Sequence, residues 1–225
     1  MKYTIHLLIT LVLTSLLIVG CNTGSSNELT QAQLDSIERA KQDSIRTADS
    51  LAKVQQQRRE ARKQQLAKNF RVKTDDFSEY SWVYHNTTPE TDLCNSIHFC
   101  ILMSKESGKA TDLYFCFHLA RIDWLFAKSL VFRIDKKNYT VDLDEERDWH
   151  KDKIKWPCVY EWFRIPASVY DIKYLISKLV RGKTCEIKII GSEGTDTTTL
   201  TKEQLKAIKE TIEYYILLGG KLGRI

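Results

Sequence analysis

Apolar residues are spaced differently in three parts of this chain, and each spacing predicts a different structure. From Ile5 to Val19 they form an almost unbroken run, with Thr10, Thr14 and Ser15 as mild interruptions. From Glu28 to Lys68 they are sparse. Leu29, Leu34, Ile37, Ile45, Leu51, Val54 and Leu66 stand among Gln, Ala, Lys, Arg, Glu and Asp, with no Gly, Pro or aromatic residue. These residue types favour helix. A heptad started at Leu34 places Lys41, Ser44, Gln55 and Arg58 in its seam, too polar for a firm coiled coil. Residues 28–69 therefore read as an exposed, charged helical spacer, roughly 60 Å long if fully helical at ~1.5 Å per residue.

From about Phe70 the chain turns aromatic and aliphatic, and residues 70–225 suit one globular domain. Short runs rich in β-branched and aromatic residues predict strands at Ser81–His85, Ser96–Met103, Asp112–Leu119, Ser129–Ile134, Tyr139–Leu143, Val159–Ile165 and Thr184–Ile190. Two later segments switch to helical spacing. Val169, Ile172, Leu175, Ile176 and Leu179 predict a helix over Ser168–Arg181, stopped by Gly182. Thr201-Lys202-Glu203-Gln204 has the form of a capping box, and Leu205, Ile208, Ile212, Tyr215 and Ile216 make the stripe of a second helix ending at Gly219-Gly220. Strands first and helices late predict an α+β fold: an antiparallel sheet of about six to seven strands, two C-terminal helices packed on it, and the long exposed helix before it.

The first apolar run changes the picture. Lys2 is the only charged residue before Cys21, and such a start is a secretory signal. It is short for a membrane span, which takes about 20 apolar residues. The run ends Leu17-Ile18-Val19-Gly20-Cys21, which resembles the lipobox of bacterial lipoproteins. The resemblance implies removal of residues 1–20, lipidation of Cys21, a flexible linker over 21–27, and attachment to a cell membrane or outer membrane. The folded part would face the periplasm or cell exterior. Each buried CH₂ of an acyl chain contributes ~0.8 kcal/mol, and stable anchoring takes more than one chain.

The spacer repeats Asp35-Ser36-Ile37, Asp43-Ser44-Ile45 and Asp49-Ser50-Leu51. This tripeptide resembles the O-glycosylation acceptor of Bacteroidetes-type exported proteins, which implies Ser36, Ser44 and Ser50 as acceptors; the whole chain resembles exported lipoproteins of unknown function. The net charge of +5 lies largely in the same segment, with nine basic against six acidic residues over 28–68. A basic stretch is drawn to an anionic membrane surface. Nucleic acid is not an expected partner of an exported lipoprotein; an envelope protein or a glycan is. No cofactor is expected.

The domain offers little catalytic pattern. Gly191-Ser192-Glu193-Gly194 is neither a nucleophile elbow nor a phosphate loop. The acidic run Asp142–Asp148 lacks EF-hand spacing and reads as a solvated loop. Beyond Cys21 there are five cysteines, Cys94, Cys100, Cys116, Cys158 and Cys185, an odd number. A hairpin centred on Gly108 would set Cys100 opposite Cys116 and His98 opposite His118, all four on one face. Three readings follow: a Cys100–Cys116 disulfide, a Cys₂His₂ zinc site at His98, Cys100, Cys116 and His118, or free buried thiols. Trp149, Trp156, Tyr160, Trp162 and Phe163 cluster in sequence. Exposed, Trp149, Trp156 and Trp162 would suit sugar or peptide binding; buried, they would be core. The reading as a whole is a lipid-anchored envelope protein with a non-catalytic binding domain. An envelope enzyme with a dispersed site and an oligomerising spacer are its alternatives.

Overall fold

A computed structural model of the chain describes residues 30–90, 95–143, 149–155 and 158–222, with the backbone alone for 149–155, 158 and 170. Cys21, Cys94, Trp156 and residues 144–148 of the acidic run lie outside the described residues, as do the side chains of Trp149 and Cys158. The chain divides into two compact units, Met1–Lys53 and Val54–Ile225.

Helix α1 (Gln31–Ala67) runs through that division. Its start is held by Gln33, whose side-chain oxygen accepts from the Thr30 backbone N–H at 2.9 Å. In the first unit every described residue is exposed, so no packing rewards an apolar stripe there. In the second unit the last turns are different: Leu66 is buried, and Arg62 makes a two-pronged ion pair with Glu213, with N–O distances of 2.8 and 2.7 Å. No described helix is long and apolar enough to cross a membrane.

The second unit is α+β, as the sequence predicts. Its strands are β1 (Phe70–Thr74), β2 (Tyr80–His85), β3 (Ser96–Ser104), β4 (Ala110–Arg121), β5 (Ala127–Ile134), β6 (Lys137–Asp142), β7 (Trp149–Lys155), β8 (Cys158–Pro166), β9 (Cys185–Gly191) and β10 (Gly194–Thr199). Helix α2 (Tyr170–Leu179) precedes β9, and α3 (Lys202–Leu217) follows β10. The strands form two antiparallel sheets rather than one: β1-β2-β3-β4-β8-β7 and β10-β9-β5-β6. The predicted capping box is present in α3, with Thr201 Oγ1 accepting from the Gln204 N–H and the Gln204 side chain accepting from the Thr201 N–H.

Strand alternation decides what each face of the six-stranded sheet does. Val83, Ile97, Phe99, Ile101, Leu113, Phe115, Phe117, Phe163 and Ile165 point inward and join a core with Leu130, Phe132, Ile187 and Ile189 of the second sheet. The Phe115 and Phe132 rings meet edge to face across the sheets, 5.9 Å between centroids. α3 packs on β2, β3 and β4 through Leu205, Ile208 and Ile212. Glu161 also points inward and is buried, yet fully satisfied: its carboxylate accepts from the backbone N–H groups of Leu125, Phe126 and Ala127 at 2.6 to 2.9 Å. It pins a loop in which Phe126 has φ 52°, pressed so close to Gly191 that a Cβ there would lie 2.0 Å from the Leu125 carbonyl oxygen.

Candidate binding face and buried thiol pair

The outward face of the same sheet carries the residues singled out for chemistry. The β3–β4 register is offset by two from the expected one: His98 stands opposite Cys116, Cys100 opposite Tyr114, and Ser96 opposite His118. The turn explains the offset. Gly108, at φ 62°, ends the loop Lys105–Gly108 instead of centring it, since Ser104 N–H donates to the Lys109 carbonyl, and a bulge follows at Leu102/Met103. A slip of two keeps every side chain on its face. The four residues therefore do share one face, with the cysteines on a diagonal.

Their sulfurs are 3.3 Å apart and not joined; Cys100, Cys116 and Cys185 are free thiols. The zinc expectation gives way here. Among the described residues no three His, Cys, Asp or Glu side chains are arranged to hold a metal ion. The His118 Nδ1 is hydrogen-bonded to the Tyr160 hydroxyl, and the His98 Nδ1 lies 3.3 Å from Ser96 Oγ.

The thiols differ in ionisation. Burial, then the hydrogen bond to Cys116, pushes the Cys100 thiol well up. Cys116 is held well below the usual thiol range, first by the hydrogen bond it shares with Cys100 and, against burial, by His98 and His118. The third thiol, Cys185, sits in the core, where burial and the Asp135 charge push it up to about 12.

Around the thiols lies a pavement of rings and cations. In the row through Cys116, His98 flanks it on β3 and Arg164 on β8. The Arg164 guanidinium is 4.5 Å from the centre of the Trp82 ring and 5.5 Å from that of Trp162. Trp82 is on β2, three strand spacings of ~4.8 Å from β8. To meet, the two side chains lean over β3 and β4, which hold the cysteines. This roof accounts for two fully buried sulfurs on an outward face. Trp82 also meets Tyr114 edge to face at 5.3 Å, and the Arg71 guanidinium lies 5.7 Å from the Tyr84 ring centre.

Beside the roof opens a cleft of 510 Å³, whose lining includes the cations Arg71, Lys73 and Arg164, the rings of Trp82, Tyr84 and His98, and the carboxylates Asp75 and Glu90. Trp162 is half-buried on this face, whereas Tyr160 and Phe163 are buried. Trp149 enters only as backbone, opposite Phe163 in the β7–β8 register. Ser36, Ser44 and Ser50 are exposed along α1, and the last two donate their hydroxyls to the carbonyls four residues back.

One arrangement has no signal in the sequence. His85 Nδ1 is 2.9 Å from Thr87 Oγ1, and its Nε2 is 3.0 Å from Glu210 Oε2, a partner 125 residues away. Burial pushes the Glu210 carboxyl up, but hydrogen bonds from His85 and Asn69, with the Lys206 charge, bring it below its usual value. The order hydroxyl–imidazole–carboxylate is that of a nucleophile and its base. Two facts fit an architectural role better than a catalytic one. The Thr87 backbone N–H also donates to His85 Nδ1 at 3.2 Å, and the adjoining cavity is only 70 Å³. The network ties β2 and the Asn69 segment to α3, with Phe70 stacked on Tyr214 at 4.5 Å.

No protein-family model matches the chain, and no curated protein matches it in sequence.

Proposed function

We propose that this is a cell-envelope lipoprotein, anchored by acyl chains on Cys21, whose folded domain is a non-catalytic binding module for a glycan. The observation that carries the ligand reading is the outward cleft of the six-stranded sheet. Half-buried Trp82 and Tyr84 offer ring faces and edges for the C–H surface of a sugar, and Arg71 and Lys73 beside them offer donors for its hydroxyl oxygens. Asp75 and Glu90 supply acceptors. Mixed donors and acceptors next to flat apolar rings suit a polyhydroxylated ligand better than a purely apolar one. The anchor reading is carried by the Leu17–Cys21 pattern, and residues 28–69 serve it as a spacer.

Two measurements test the proposal. Labelled fatty acid fed to the host should enter the protein, and Cys21→Ala should abolish both labelling and membrane retention. Soluble glycans prepared from the host envelope should change the intrinsic tryptophan fluorescence of the full chain, and Trp82→Ala should remove the response. Unchanged fluorescence across neutral and acidic glycans would reject the ligand class. The enzyme alternative has one observation in its favour, the Thr87–His85–Glu210 relay. Glycan recovered intact after incubation supports binding, whereas cleavage that Thr87→Ala abolishes would replace the proposal with an esterase- or hydrolase-type activity.

A further inference from the structure

Ligand binding at the cleft makes no use of the two sulfurs under the Arg164–Trp82 roof. We propose that Cys100 and Cys116 are a dithiol pair that hydroperoxide oxidises to a cross-strand disulfide. The pair is already assembled. The sulfurs lie 3.3 Å apart on neighbouring antiparallel strands and need only approach to the ~2.05 Å of a disulfide. The roof selects the oxidant. Both sulfurs are fully buried, so any oxidant needs the roof to open: a bulky disulfide would need Arg164 and Trp82 cleared away, whereas hydrogen peroxide, little larger than water, needs only a small local opening.

The two cysteines have different parts. Cys116, flanked by His98 and Arg164 in one row, is the sulfur whose ionisation its neighbours favour, and the thiolate is the form that attacks. Its sulfur attacks one oxygen of the peroxide, the O–O bond breaks, and Cys116 sulfenic acid forms. The departing hydroxide takes up the proton that Cys116 released on ionising and becomes water. The Cys100 sulfur then attacks Cys116 Sγ. The S–O bond breaks, and the second hydroxide leaves as water with the Cys100 proton. Two thiols lose two electrons in all, and one peroxide becomes two waters.

The proposal does not rest on the glycan reading, because mass reads the sulfurs and fluorescence reads the cleft. The test treats reduced full-length protein with hydrogen peroxide, blocks remaining thiols after denaturation, and maps the peptides by mass. The expected product is a peptide pair joined through Cys100 and Cys116, lighter by two hydrogen atoms, with Cys185 still free. In Cys100→Ser the reaction should stop at a Cys116 sulfenic acid that a dimedone-type reagent traps, and in Cys116→Ser no sulfenic acid should form at Cys100. His98→Gln should slow disulfide formation by roughly tenfold at neutral pH through a smaller thiolate fraction. Cys100 and Cys116 both still blocked as free thiols, or either joined to another cysteine, would overturn the proposal. Wild-type mapping alone decides this if a variant fails to fold.

Discussion

The inward and outward faces of the six-stranded sheet come from the same strands, residue by residue, yet different physics closes them. Inward, Phe99, Phe115, Phe117 and Phe163 are sealed by non-directional apolar packing against α3 and the second sheet. Outward, Cys100 and Cys116 are equally hidden, but beneath a guanidinium held on two indole rings and beside imidazoles that hydrogen-bond. Packing energy scales with buried area and punishes any lost volume. Cation–π and hydrogen-bonded closure is weaker and depends on direction, so it can open for a ligand or a small oxidant without unfolding the sheet. The comparison assigns stability to one face and chemistry to the other.

Substitutions should separate the faces by size of effect. Phe115→Ala, in the centre of the inward face, should destabilise the domain by about 3–5 kcal/mol in denaturant titration. Glu161→Ala should come next, at about 2–4 kcal/mol, because it leaves three backbone N–H groups of a buried loop without their acceptor. Arg164→Gln on the outward face should cost only about 1 kcal/mol, while exposing Cys100 and Cys116 to thiol reagents that the native protein excludes. A loss in Arg164→Gln as large as that of Phe115→Ala would erase the distinction.

The smallest expected effect depends on pH. The folded-state Glu210 carboxyl lies below its ordinary value, so its contribution is complete above about pH 4.5 and disappears as pH falls through the lowered value. Thermal unfolding of wild-type protein should therefore weaken in that acid window more steeply than that of Glu210→Gln. Parallel curves would remove Glu210 from the account.

Much of the fold was legible because buried strands and amphipathic helices write their burial into the sequence. The seven predicted strands and both late helices are present with small shifts of boundary. Three strands were not predicted, β1, β7 and β10, and all three are sheet edges. Gly194-Thr195-Asp196-Thr197-Thr198-Thr199 is almost wholly exposed, and Trp149–Lys155 is mostly charged. Edge strands bury little and are kept polar, so they lack the alternation that reveals central ones. Those missing edges also hid the division into two sheets. At the site, period-two spacing placed His98, Cys100, Cys116 and His118 on one face, but turn geometry, which spacing does not encode, set the pairing two residues away. Arg164 went unnoticed because its meaning lies in Trp82 and Trp162, brought to it by strand pairing. His85 and Glu210 are linked only by the packing of α3 on β2.

The outward face as the working surface is tested most directly by calorimetric titration of envelope glycans into the full chain and two variants. Trp82→Ala alters the aromatic cleft, and Lys188→Ala alters the corresponding outward face of the second sheet. The account predicts that binding disappears in the first variant and is kept in the second. Binding retained by Trp82→Ala, or lost equally in both, would contradict it.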